Sequence, residues 1–579
     1  MENIATNTYF QTPIDNKCYS CYNVDTMFID SSKSVQRGKI YIRHLLRDSY
    51  RDKIDGKVKH RTLGNLSHCS DAEISAIKLA LKNKGNLANL GNIKDIKQKQ
   101  GLRIGVVYTL KIIAERVGLT KALGATREGK LGLWQVMARF IDQGSRLSAV
   151  RLAESHATCD ILGLEAFNED HLYANLAWLS SHQEEIEKRL FRSHYGHNPP
   201  QLFLYDVSST YLEGMPNSLS AFGYNRDGKR GKPQLVFGLL TGPDGTPVAV
   251  RVFAGNTADT GTVAEQIRIL AKSFGVEGVT LVAGTHEVGG GMLKQSQITQ
   301  LNEAHFHYIT AITKPQIKTL LREGVFQMGL FEDNICEVAS EGVRYILRRN
   351  PERVKEIAAS RENKFSTVQR LLEQRNSYLA GHPRASAKVA HRELEARIKK
   401  LEIDGWVKVV EKGSVLAIEI DEEAKREQAT LDGCYVIKTD LPVEIAAAEI
   451  VHERYKDLAL VEHAFRTFKR DLLEIQPTYV RTEASTRGHV FVVMLAYLLE
   501  RELNRYWHGL ELTIAEGIDR LGTLCGTEIE IGQERYQTVP EATGSCKQLL
   551  NAANIKLPEV LPLTKTHVAT RKKLVPARY

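Results

Sequence analysis

Cysteine is scarce, with eight residues scattered through a chain of 579. That excludes a disulfide-stapled secreted scaffold and fits a reducing compartment. No apolar run is long enough to span a bilayer, and the opening MENIATNTYFQTPIDNK lacks the apolar centre of a signal sequence. The expected location is therefore the cytoplasm, with no membrane partner. There is no G-x-S-x-G elbow and no Walker A loop, which removes the sequence support for an elbow-type hydrolase or a P-loop ATPase. Neither sign of charge is missing: 78 basic and 69 acidic side chains leave +9, a mild excess that favours a polyanionic partner without establishing one. What remains is an ordinary globular composition, 42% hydrophobic and 25% charged, in a length that predicts three or four folding units.

The first 35 or so residues are polar and aperiodic, which predicts poor order. Cys18 and Cys21 form a CxxC that His68 and Cys69 could complete as a zinc site, although unpaired thiols are the simpler reading of one CxxC. Two β-prone runs then flank Asp55-Gly56, a hairpin turn signal. The hairpin carries Arg43, Arg47 and Arg51 on one strand and Lys57, Lys59, His60 and Arg61 on the other, a ribbon able to lie along DNA. Asp48, Asp52 and Asp55 dilute that charge, so a solvated hairpin of mixed charge is the competing reading. Residues 70 to 195 keep apolar positions at three- and four-residue steps and predict helices, the first capped by Ser70 with Glu73 at capping-box spacing.

After HNPPQ the period changes to that of strands. FLYDVSSTYLEG, residues 203 to 214, suits a buried strand except for Asp206. An ionised carboxylate there is costly unless a cation or a donor compensates it. PQLVFGLL and PVAVRVFAG predict an antiparallel hairpin, AEQIRILAKSFG a helix, and VTLVAG and FHYITAI two further strands. Residues 314 to 445, with two charged helices split at Gly381-His382-Pro383, predict an inserted subdomain. The chain then returns with a helix in which Val461, Phe465 and Phe468 share an apolar face, so that it packs onto the sheet. Glu462 and Lys469, seven apart, point the same way if that helix is regular. A strand carboxylate and a helix carboxylate are what a hard divalent ion takes while keeping water and phosphate in its shell, and two such ions about 4 Å apart stabilise an in-line phosphoryl displacement.

Three motifs carry a resemblance: YDVSSTYLEG, GNTAD at 255 to 259, and YKDLALVEHAFRTFK followed by IQPTYVRTEASTRGHVFVVMLAYLL. Through them the chain resembles, from about residue 40 to 505, bacterial insertion-sequence transposases of the IS4 group, specifically the large IS1634-like branch. That family's final-acid signature is Tyr, two residues, Arg, three residues, Glu, six residues, Lys. Tyr455, Glu462 and Lys469 fall on it, and Leu458 replaces the Arg. The resemblance implies an α/β fold: an RNase H-like core with an inserted α+β subdomain, preceded by a β-hairpin and a helical N-terminal region. It implies boundaries of 1–69 (arm and hairpin), 70–198 (helical DNA-binding or packing region), 199–313 and 446–510 (core), 314–445 (insertion) and 511–579, which ends in a basic tail.

The resemblance also implies a DDE site. Asp206 and Glu462 would be metal ligands, Tyr455, Lys469 and Arg466 would contact DNA together with Lys57, Lys59 and Arg61 of the hairpin, and the cofactor would be Mg²⁺ or Mn²⁺, two ions. The partners implied are double-stranded DNA, at element ends and target, and a second copy of the chain in a synaptic homodimer associated with the nucleoid. The second acid is missing. The family expects an Asp just beyond the fourth strand, before Gly-Met, where this chain has LVAGTHEVGGGML. Glu287 is the nearest carboxylate and the candidate substitute, although its extra methylene would move an ion by roughly an ångström, a displacement that can cost about a hundredfold in rate. The alternative reading is a catalytically degenerate DNA-binding protein on the same scaffold.

Overall fold

The computed structural model describes residues 26–561 apart from 37–38, 85–95, 215, 225, 230, 287–289, 333–334, 414, 477 and 532–533, together with 566 and 568. Cys18, Cys21, Glu287 and most of the basic tail lie outside them. The chain forms two compact units rather than three or four: one of residues 1–100 with 527–536, the other of residues 101–526 with 537–579.

In the first unit β1 (Thr26–Gln36), β2 (Lys39–Arg51) and β3 (Val58–Asn65) make an antiparallel meander. The hairpin at Asp55-Gly56 thus has a third strand, built from residues that the polar composition had assigned to a poorly ordered arm. Backbone pairing supplies the order: β1 is in register with β2 from Thr26 opposite Ser49 to Gln36 opposite Lys39, and ladder bonds do not need apolar side chains. A helix, Asp71–Lys82, follows with the predicted Ser70 and Glu73 capping box.

The second unit is organised by one eight-stranded sheet. Its strands are β4 (Leu202–Tyr211), β5 (Gln234–Thr241), β6 (Pro247–Ala254), β7 (Thr280–Ala283), β8 (His307–Ala311), β9 (Cys336–Ser340), β10 (Val343–Arg349) and β11 (Cys434–Thr439). The order across the sheet is β9-β10-β11-β8-β7-β4-β5-β6. β5 is antiparallel to both β4 and β6, while β7 and β8 run parallel to β4. The sheet is covered on both faces, which is why β4 and β5 read as nearly continuous apolar runs.

Side chains alternate between those faces. Leu202, Leu204, Leu235, Phe237 and Leu239 join the larger core, and Phe203, Tyr205, Val207, Val236 and Leu240 join the other. The larger core holds the N-terminal helices and a long helix, Glu483–Trp507, that is buried along most of its length. That packing merges residues 105–195 with the sheet instead of leaving them a separate region.

The predicted insertion boundaries also change. β9, β10 and β11 lie within 314–445 yet extend the central sheet, with β11 paired to β8 from Ile309 opposite Thr439. What stands apart is the helix pair Pro351–Gly381 and Ala387–Lys400 with the hairpin Val407–Lys412 and Val415–Ile420, which share a core around Val368, Leu394, Trp406 and Leu416. Among the described residues no helix is long and apolar enough to cross a membrane.

One glycine tests the packing. A Cβ on Gly488, in the long helix, would lie 2.0 Å from the carbonyl oxygen of Leu176 in the helix Glu169–Ser181. Gly488→Ala should destabilise the chain by about 1–3 kcal/mol or more, read as a lower urea midpoint at unchanged slope.

Candidate active site

The alternation of β4 decides where Asp206 points. It shares parity with Leu202 and Leu204, so its carboxylate lies on the larger core's face, onto which the helix Leu458–Arg466 packs through Val461, Ala464 and Phe465. The Phe237 ring on β5 meets the Phe465 ring edge to face at 5.5 Å and anchors that helix to the sheet. Glu462 sits on the same helix with its side chain exposed. The acids at 206 and 462, far apart in sequence, come close enough for one charge to act on the other.

Asp206 is compensated only in part. The Val207 backbone N–H donates to its Oδ1 at 2.8 Å. Burial nevertheless pushes its carboxyl up to about 7, the charges of Glu462 and Asp259 add to the rise, and the Arg226 guanidinium opposes it. Asp259 follows β6 in a 3-10 turn and was not singled out from the sequence, although GNTAD contains it. The signal available was topological: β6 runs the same way as β4, so both deliver their C-terminal ends to one edge of the sheet. Asp259 forms an ion pair with Arg226, the two side chains being 20% and 7% exposed.

Gly284, at the end of β7, lies close to the Asp206 carboxylate. β4 and β7 pair in parallel with Tyr205 opposite Ala283, which brings Gly284 abreast of Asp206. A Cβ at Gly284 would lie 3.0 Å from Asp206 Oδ1 and 3.2 Å from its Cγ. A side chain there would therefore meet the end of the Asp206 carboxylate, which can shift. Gly284 stands directly beyond β7. Glu287 falls outside the described residues.

Several expected DNA contacts are engaged within the protein. Lys469 donates to Asp227 at 2.8 Å, and that pair is 12% and 8% exposed, so Lys469 is not the surface lysine its motif suggested. The helix turns from α to π at Thr467, and the wider turn removes the two-turn alignment of Glu462 with Lys469. Tyr455 belongs to a separate short helix, Ala448–Lys456, and packs partly buried against the larger core. Leu458, at the family's Arg position, is buried in that core, and Arg466 is exposed. In the first unit Lys59 pairs with Asp52 and with Asp55 at 3.1 Å, and Arg61 pairs with Asp48 at 2.9 Å. Those acids neutralise two of the three hairpin cations expected to contact DNA and leave Lys57 exposed, which favours the mixed-charge reading.

The donor chemistry at Asp206 and Glu462 suits a hard divalent ion, because two carboxylate oxygens leave the rest of the shell to water and phosphate. Among the described residues no group of three or more His, Cys, Asp or Glu side chains is gathered to hold a metal.

The Asp206 shift has a sign that can be checked. Its ordinary value is 3.8 and its folded value about 7, so between those values the native state holds a proton that the unfolded state has released. This contribution to stability is lost as pH rises through that window. Metal-free Asp206→Asn should therefore be more stable than the parent at pH 8, by at most about 4 kcal/mol and by less to the extent that water reaches the carboxylate. The difference should close below pH 4. Thermal unfolding across pH in the presence of a chelator checks it.

Comparison with known proteins agrees with the motifs. Residues 29–90 match the IS1634 family transposase, N-terminal domain, and residues 200–499, more than half of the chain, match the transposase DDE domain. No curated protein matches. Among solved structures, the chain is similar to one described as a cryo-EM structure of piggyBac transposase synaptic complex with hairpin DNA, at 7% identity and a TM-score of 0.33, covering 72% of this chain and 76% of that one. Asp206 lies seven residues into the matched DDE segment and Glu462 lies within its last third. The chain belongs to the DDE transposases and is IS1634-like.

Proposed function

We propose that this transposase cuts DNA at insertion-sequence ends and joins the freed 3′-hydroxyl to target DNA, with Asp206 and Glu462 as its catalytic carboxylates on an RNase H-like core. The observation that carries the reading is the approach of those two acids, one on β4 inside the sheet and one on the helix that packs onto it. Three antiparallel strands followed by two parallel ones, with the acid on the first, support the core assignment. Asp206 and Glu462 would hold Mg²⁺ or Mn²⁺, whose chemistry is to polarise phosphoryl oxygens and activate water or a 3′-hydroxyl.

The protein's own part is positioning and charge. Asp206 acts as an anion, so burial and neighbouring carboxylates make it dependent on a cation near neutral pH. Lys469 contacts backbone phosphate only after parting from Asp227, and Arg466 and Lys57 are already exposed to do so. Ser208 and Thr210 share the parity of Asp206, and both are buried in the strand, the setting of structural hydrogen-bonders rather than nucleophiles. The assembly is a homodimer on paired ends, acting in the cytoplasm on the nucleoid.

A second reading, binding without cutting, is favoured by Gly284 at the second-acid position and by the pairing of Asp259 with Arg226. Cleavage of a labelled duplex carrying the element end, with Mg²⁺ or Mn²⁺, separates the two. Under the first reading the parent cuts, and Asp206→Asn and Glu462→Gln each lose at least about a hundredfold. Under the second the parent binds without cutting. In either case Gly284→Asp should raise cleavage, and the absence of cutting by both the parent and Gly284→Asp would overturn the catalytic assignment. Asp227→Asn should tighten end binding several-fold and steepen its salt dependence by releasing Lys469, measured by fluorescence anisotropy at two salt concentrations.

A further inference from the structure

Four arginines are buried among the described residues: Arg139, Arg146, Arg251 and Arg344. Arg251 and Arg344 each pair with a carboxylate, Glu187 at 2.8 Å and Glu337 at 2.7 Å, as buried cations must if their desolvation is to be offset. Arg139 and Arg146 form no ion pair. They lie at the two ends of one turn, Arg139 in the last turn of the helix Arg127–Ile141 and Arg146 opening the helix Arg146–Ser155, and each is 6% exposed.

Their contacts are few. Arg139 donates to the Gln143 carbonyl, and its Nε is buried without a partner. Arg146 donates to Gln135 Oε1 at 2.5 Å and lies 3.4 Å from Nδ1 of His489, which is 5% exposed. The charges of Asp142 and Glu474 reach Arg139, but Asp142 accepts instead from the Ser148 hydroxyl. Burial, and then the two guanidiniums, hold His489 well below its ordinary value, so it is neutral and accepts at Nδ1. Two fixed positive charges thus share a desolvated locus with more N–H donors than acceptors. The turn between the two arginines lies at the surface, with Gln143 and Gly144 partly exposed and Ser145 exposed.

We propose that Arg139, Arg146 and His489 form a binding site for a phosphate-type oxyanion, either a DNA backbone phosphate or free inorganic phosphate. Phosphate suits the locus better than a carboxylate does, because its oxygens accept from several directions at once and guanidinium forks match them two at a time. The site does not depend on the acid pair, and it stands whether or not the chain cuts DNA.

The test is thermal unfolding of the full chain while inorganic phosphate replaces chloride at constant ionic strength and pH 7.5. A site gives a rise in Tm that follows ligand binding and grows with the logarithm of phosphate above its Kd. General salting-out gives a rise linear in phosphate that persists in variants. The expected result is the first form in the parent and, in Arg139→Gln and Arg146→Lys, a midpoint for phosphate raised at least tenfold, with circular dichroism confirming that both variants fold. If either variant does not fold, the shape of the parent's own titration decides. A linear rise, or an equal response in folded variants, overturns the proposal. Repeating the titration with saturating duplex DNA assigns the source: a right-shifted phosphate midpoint identifies a backbone phosphate, and an unshifted one identifies free phosphate.

Discussion

Burial of a single carboxylate organises this molecule's functional face. Asp206 occupies a strand interior where its neighbours are apolar, and the two-residue repeat of that strand turns it toward the helix that brings Glu462. Were the strand shifted by one residue, Asp206 would face the other core and Tyr205 would face the helix. The register that avoids this is held by β5 and β7 on either side, and the same register sets Gly284 beside the acid. Strand pairing and acid placement are therefore one constraint.

Charge is handled in pairs throughout, and the pairs explain which cations are ready to meet DNA. Lys469, Arg226, Lys59 and Arg61 are each opposite a carboxylate, whereas Arg466 and Lys57 face solvent. The basic excess of the composition does not convert directly into a phosphate-binding surface, because a lysine or arginine paired to an acid must exchange partners before it can bind. Arg139 and Arg146 are the converse, buried with no such acid to leave.

How much was legible varied with the range of the interaction. The antiparallel hairpin of residues 234–254 and the Ser70 cap followed from local signals, a turn between apolar runs and a capping box. The insertion did not, because nothing local separates a strand that joins the central sheet from one that pairs nearby. CYVIKTDL and SVLAIEI look alike, yet the first joins β8 and β10 while the second pairs with Val407–Lys412. The ion pair of Lys469 was illegible for a related reason: its partner Asp227 is 242 residues away, beyond any spacing rule.

By itself the sequence determined the transposase family, through residue spacing around 206, 259 and 462, along with most of the helices and strands, whose periods are written in a few consecutive residues. Only the tertiary structure decided that Asp259 pairs with Arg226 near Asp206, that Gly284 lies beside Asp206, that Lys469 is held by Asp227, and that two arginines are buried without an ion pair among the described residues. Those are facts of proximity between segments brought together by strand register and helix packing. Proximity of that kind is set by the sum of the core's contacts rather than by the residues that end up touching.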